Sequence, residues 1–163
     1  MNIEEIDRAI SSLMHHWGTQ ALRGSLGIIF KWFGILKPLG ISAAEPLVIA
    51  TVHWLPFFNG ELWVAIIGWW EVAIGISFLF KRTIRIAIVL LALQMVGTFM
   101  PLIVLPEVTF QAGLLPYAPT MEGQYIIKNL LIISGALVIG GTVHKIDEVP
   151  DKPLNTDAED GVG

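Results

Sequence analysis

The sequence predicts an all-α integral membrane protein: a four-helix antiparallel bundle with both termini cytoplasmic, preceded by an N-terminal amphipathic helix. Three observations carry that prediction. The 163 residues are 54% hydrophobic and only 15% charged, with a mean hydropathy of +0.68. A soluble domain of this size cannot hide so much apolar sequence. Several runs approach the roughly 20 apolar residues that cross a hydrocarbon core. The Lys and Arg residues of the loops and termini gather on one side of those runs, as membrane topology requires.

The composition also excludes some chemistry. A formal charge of −4, with no basic face outside membrane-flanking positions, argues against a nucleic-acid partner. The chain has no cysteine, which removes a disulfide, a thiolate nucleophile or a Cys-X-X-Cys pair. The opening residues "MNIEEIDRAI" start acidic, unlike a cleavable signal peptide.

In chain order, residues 1–20 form the first unit. Ile3, Ile6, Ile10, Leu13, Met14 and Trp17 fall on one helical face. That pattern suits a helix lying on the inner leaflet, or one packed on its own bundle or on a neighbour. Residues 21–144 hold four spans, at about 22–39, 63–80, 84–105 and 125–143. Each can cross a core of about 30 Å at 1.5 Å per residue. Lipid offers backbone polar groups no partner, so all four must be helices. In the first long loop "SAAE" fits a capping box opening a short helix toward Trp54. The proline-containing loop 106–124 reads as irregular and folded over the outer mouth. Residues 145–163 are acidic and polar, the composition of a disordered tail.

Orientation follows from the basic residues. Arg8 and Arg23 precede the first span. Lys81, Arg82 and Arg85 lie between the second and third, and Lys145 and Lys152 follow the fourth. Loops 40–62 and 106–124 contain no Lys or Arg. Both termini are therefore predicted to be cytoplasmic.

Inside the spans, polar residues are costly and usually face the bundle interior. Counted from the inner ends of their spans, Lys31, Glu71 and Gln94 each lie nine residues in, about 13–14 Å deep. Each shares a helical face with flanking residues, mostly small: Gly27 and Gly34, Gly68 and Gly75, Gly97 and Pro101. The expectation is a Lys31–Glu71 ion pair with Gln94 as its neighbour. That cluster either serves function or fixes helix register. Trp69 and Trp70 adjoin Glu71 and can stack on a flat ring or pack on lipid and helices. A second polar layer is expected nearer the outer face, with Lys37 and Lys128 near acidic Glu107 and Glu122. Lysines there can also simply snorkel. No span has an internal histidine, which argues against bis-histidine haem. No metal-ligand spacing, phosphate loop or nucleophile elbow is present.

Taken together, "RGSLGIIFKWFGILK", "AAEPLV", "GWWEVAIG", "GTFMPLIVLPEVTF" and "PTMEGQYIIKNLLIISGAL" make residues 23–141 resemble the DoxX-like superfamily of small bacterial inner-membrane proteins. Within that superfamily the chain resembles the YkgB-like branch. The resemblance implies a four-helix bundle with cytoplasmic termini, multi-pass in the inner membrane. It also implies links to thiosulfate:quinone oxidoreduction, to oxidative or reactive-chlorine stress, and to membrane complexes. Lys37, Glu71, Glu122 and Lys128 stand at its motif positions, and Lys31 departs from them.

Three functions fit these residues. The first is a redox- or stress-associated subunit that binds a quinone-like molecule near Lys31, Glu71, Gln94 and Trp70. Such a subunit has no intrinsic redox centre, so electrons would come from a partner. The second is a structural or assembly subunit of a larger membrane complex. The third is an oligomeric proton or small-solute transporter. The expected partners are the lipid bilayer and either other membrane subunits or further copies of the chain.

Overall fold

The structure is a computed structural model and describes residues 2–147, with side chains to residue 143. It is all-α. The elements are α1 (Ile3–Leu36), α2 (Glu45–Val52), α3 (Gly60–Leu79), a 3-10 turn (Lys81–Thr83), α4 (Ile84–Phe99), α5 (Pro101–Val104), α6 (Pro106–Thr109), α7 (Met121–Ile127) and α8 (Asn129–Asp147). Among the described residues the β-contact is a single bridge, Phe110 to Pro119.

Local chemistry sets the ends. The Asn2 backbone N–H donates to Glu5 (3.0 Å) at the start of α1. The C-terminal stop is a Schellman arrangement ahead of the loop. Gly40, at φ 68°, lets Ile41 N–H reach Leu36 O (3.1 Å) and Gly40 N–H reach Lys37 O (3.0 Å). The Asn59 carboxamide oxygen accepts from Leu62 N–H (3.0 Å) and starts α3. The Thr120 hydroxyl accepts from Gly123 N–H (3.2 Å) and starts α7.

α1, α3, α4 and α8 close a ring, each packing on the next and α8 returning to α1. The core holds Leu26 and Phe30 of α1, Ile74 and Phe78 of α3, Ile84, Ala87, Leu91 and Met95 of α4, and Ala136 and Ile139 of α8. Outward faces are just as apolar: Ile86, Val89, Leu93 and Val96 of α4 are all more than half exposed. A soluble bundle would carry polar residues there. Among the described residues three helical segments are long and apolar enough to cross a membrane: Gly60–Leu79, Lys81–Val104 and Met121–Val143. They match the second, third and fourth expected spans. The expected first span carries Arg23, Lys31 and Lys37 and is not among the three.

Several local expectations change. The amphipathic helix is not separate, because α1 runs unbroken through residues 20 and 21. Its 34 residues make about 51 Å of helix, and residues 2–18 are exposed throughout. The "SAAE" capping box does not form. Ser42 Oγ accepts from Ala44 N–H instead (3.3 Å), and α2 ends at Val52, short of Trp54. Pro101 interrupts the third rod between α4 and α5, because proline has no N–H for the helical ladder.

Loop 106–124 is ordered rather than irregular. α6 leads into a closed turn in which Gln111 N–H donates to Ala118 O and Thr120 N–H to Thr109 O, both at 2.9 Å. The Thr120 hydroxyl donates to Val108 O (2.7 Å). The expected disordered tail falls, beyond residue 147, outside the described residues.

Candidate functional site

The α1–α3 contact is built from glycines. A Cβ on Gly34 would lie 2.7 Å from Gly68 O and 2.8 Å from Val72 N. One on Gly75 would lie 2.5 Å from Lys31 N and 2.7 Å from Gly27 O. Ordinary Cβ atoms do not approach so closely, so at these points the two backbones touch. The register follows directly. Gly27 and Lys31 lie against Gly75 and Leu79, Gly34 against Gly68 to Val72, and Lys37 with Pro38 against Gly68.

That register decides which lysine meets Glu71. A helical side chain leans toward its own helix N-terminus. On α1 the N-terminus lies toward the end of α3, so Lys37 leans back from its outer position to the level of Gly34. Glu71 leans the opposite way, outward along α3. The two side chains converge, and Lys37 Nζ donates to Glu71 Oε2 in an ion pair. Gln94 of α4 donates through Nε2 to the other oxygen, Glu71 Oε1 (3.2 Å). Lys37 is 8% exposed and the Glu71 side chain 14%. One carboxylate thus ties three helices together.

The expected Lys31–Glu71 pair therefore does not form, and Lys37 takes its place. Lys31 starts one turn inward and leans further inward, away from Glu71. Its backbone faces Gly75 while the residue itself is exposed. The equal depths counted along each span did not include the offset between helices or the lean of the side chains. Glu71 and Gln94 do meet as expected. Trp70 adjoins the cluster in sequence, but its indole N–H donates to Leu90 O of α4 (3.1 Å). It is a second α3–α4 tie, and sequence patterns give no hint of that bond to a main-chain acceptor. Trp69 is 62% exposed.

The outer polar layer does not assemble. Lys37 belongs to the Glu71 cluster, while Glu107, Glu122 and Lys128 are exposed. Lys128 holds its ammonium 5.4 Å from the Tyr125 ring centre, a cation–π contact within its own helical turn. What organises this end instead is Thr109, fully buried, with Gly123 packed on its carbonyl oxygen. Trp63 buries its indole N–H without an acceptor among the described residues and meets Phe58 edge-on at 5.3 Å. His15, His16 and His53 are exposed. Among the described residues no three His, Asp or Glu side chains group to hold a metal ion.

A shallow, open groove lies elsewhere. Ile28, Lys31, Trp32, Ile35, Leu36 and Leu79 line a depression of about 410 Å³ on the exposed α1–α3 surface. Compared with protein-family models, with characterised proteins and with solved structures, the chain matches none.

Proposed function

We propose that the chain is a multi-pass membrane protein of four spans, the outer half of α1 being the fourth, and that it acts as a subunit held among other membrane components. The Lys37–Glu71–Gln94 cluster is then a lock that sets the register of α1, α3 and α4. The observation that carries this reading is the pairing of Glu71 with residues of two other helices. Both oxygens are engaged, one by the Lys37 ammonium and one by the Gln94 amide, so the charge of Glu71 is neutralised inside the protein by partners from two other helices. The ring of α1 with three membrane-length segments and the exposed apolar faces support membrane burial on all sides. The resemblance to DoxX-like proteins agrees, and makes a redox- or stress-linked complex the specific form of the proposal.

The test is crosslinking in native membranes, followed by purification in mild detergent. A subunit is captured in a discrete larger complex, and the Lys37→Met/Glu71→Leu double variant is captured equally well. Recovery of the wild-type chain as a lone monomer sinks the reading. A quinone-like ligand stacking on exposed Trp69 is the rival. It predicts saturable binding of a quinone analogue that Glu71→Gln abolishes without loss of fold.

A further inference from the structure

We propose that the groove beside Lys31 binds one anionic phospholipid of the cytoplasmic leaflet, with its phosphate on the Lys31 ammonium and an acyl chain along the groove. The inference rests on the membrane reading above.

The first argument is charge. Lys31 is exposed and, among the described residues, has no hydrogen-bond or ion-pair partner. Every other residue lining the groove is apolar or aromatic. A lone cation against hydrocarbon is unfavourable until an anion neutralises it. Glu71 cannot serve, because Lys37 and Gln94 already hold it.

The second argument is depth. Lys31 backs onto Gly75, four residues before the end of α3 at Leu79, which is about 6 Å along the axis. Its side chain leans toward the α1 N-terminus, the cytoplasmic side, and is long enough to cover that distance. The ammonium can thus reach the level of Leu79 and the exposed Lys81 and Arg82 turn, the level at which the membrane reading puts phosphates of the inner leaflet. Basic pockets between membrane helices on this side are suited to anionic head groups.

The third argument is shape. Ile35 and Leu36 lie further along α1 than Lys31, toward the membrane centre, with Trp32 beside them. The apolar walls therefore run from the ammonium into the hydrocarbon, as an acyl chain runs from its phosphate. A free phosphate would gain nothing from those walls.

The full chain is purified in detergent and examined by native mass spectrometry with equimolar phosphatidylglycerol and phosphatidylcholine. Wild type should retain phosphatidylglycerol over phosphatidylcholine by about fivefold, the ratio expected of roughly one lysine acting on an anionic lipid. Lys31→Met should abolish the preference and Lys31→Arg should keep it. Ile35→Trp, which fills the groove but leaves the cation, should weaken retention of the lipid. Equal retention of both lipids by wild type overturns the proposal, as does an unchanged preference in Lys31→Met or displacement of the lipid by inorganic phosphate. Alkaline carbonate extraction separates the two levels of failure. A chain that stays in the membrane yet shows no preference defeats this inference alone, whereas an extracted chain defeats the membrane reading with it.

Discussion

Glu71 has its acidic side chain in an apolar run, and its partners explain how it is tolerated. Removing one member of a buried ion pair leaves the other as an uncompensated charge, at a cost of about 3–5 kcal/mol. Lys37→Met and Glu71→Leu should therefore each destabilise by that order. The double variant should recover most of the loss, because an apolar pair of similar volume is often neutral. Thermal unfolding in detergent, arranged as a double-mutant cycle, reads the coupling directly. Lys31→Met should change stability by no more than about 0.5 kcal/mol, as expected of an exposed site. If Lys31→Met is as damaging as Lys37→Met, the assignment of the pair is wrong.

Among the helices, α1 and α3 depend on having no side chain where they touch. Gly34→Ala and Gly75→Ala should each cost about 1–3 kcal/mol, since the added methyl meets backbone that can yield only by separating the helices. Gly97→Ala is the contrast. Nothing lies within 4 Å of a Cβ there, so alanine should be neutral or stabilising by up to about 1 kcal/mol through helix propensity. Equal effects at Gly34 and Gly97 would mean that propensity, and not contact, governs both. The glycine faces were legible in the sequence as small residues recurring on one side of each helix. The breaks at Pro101 and Lys128, and the Schellman end at Gly40, needed the backbone. The capping box at Ser42 failed because its hydroxyl found a nearer N–H, two residues on.

For the molecule as a whole, the absence of cysteine makes the topology testable with single introduced thiols. Tyr117→Cys in the outer loop, at a position 89% exposed, should react with an impermeant maleimide in intact cells. Arg82→Cys, in the exposed α3–α4 turn, should react only after the membrane is opened. The reverse pattern would invert the orientation. The unbroken α1 carries its apolar stripe past the end of the bundle, from Trp17 back to Ile3, with every side chain there exposed. Hydrophobic periodicity showed that stripe but not its continuity with the rest of α1, because Gly18 and Gly24 are tolerated within a helix.

Composition and spacing were enough for the all-α class, for three membrane-length rods, and for Glu71 and Gln94 as residues that meet. These depend on properties of single segments: apolar length, periodicity, and the cost of a polar group in oil. The choice of Lys37 over Lys31 does not. It follows from the axial offset between two helices and from the opposite lean of side chains on antiparallel neighbours. Neither exists until α1 and α3 are packed, backbone to backbone, through Gly27, Gly34, Gly68 and Gly75.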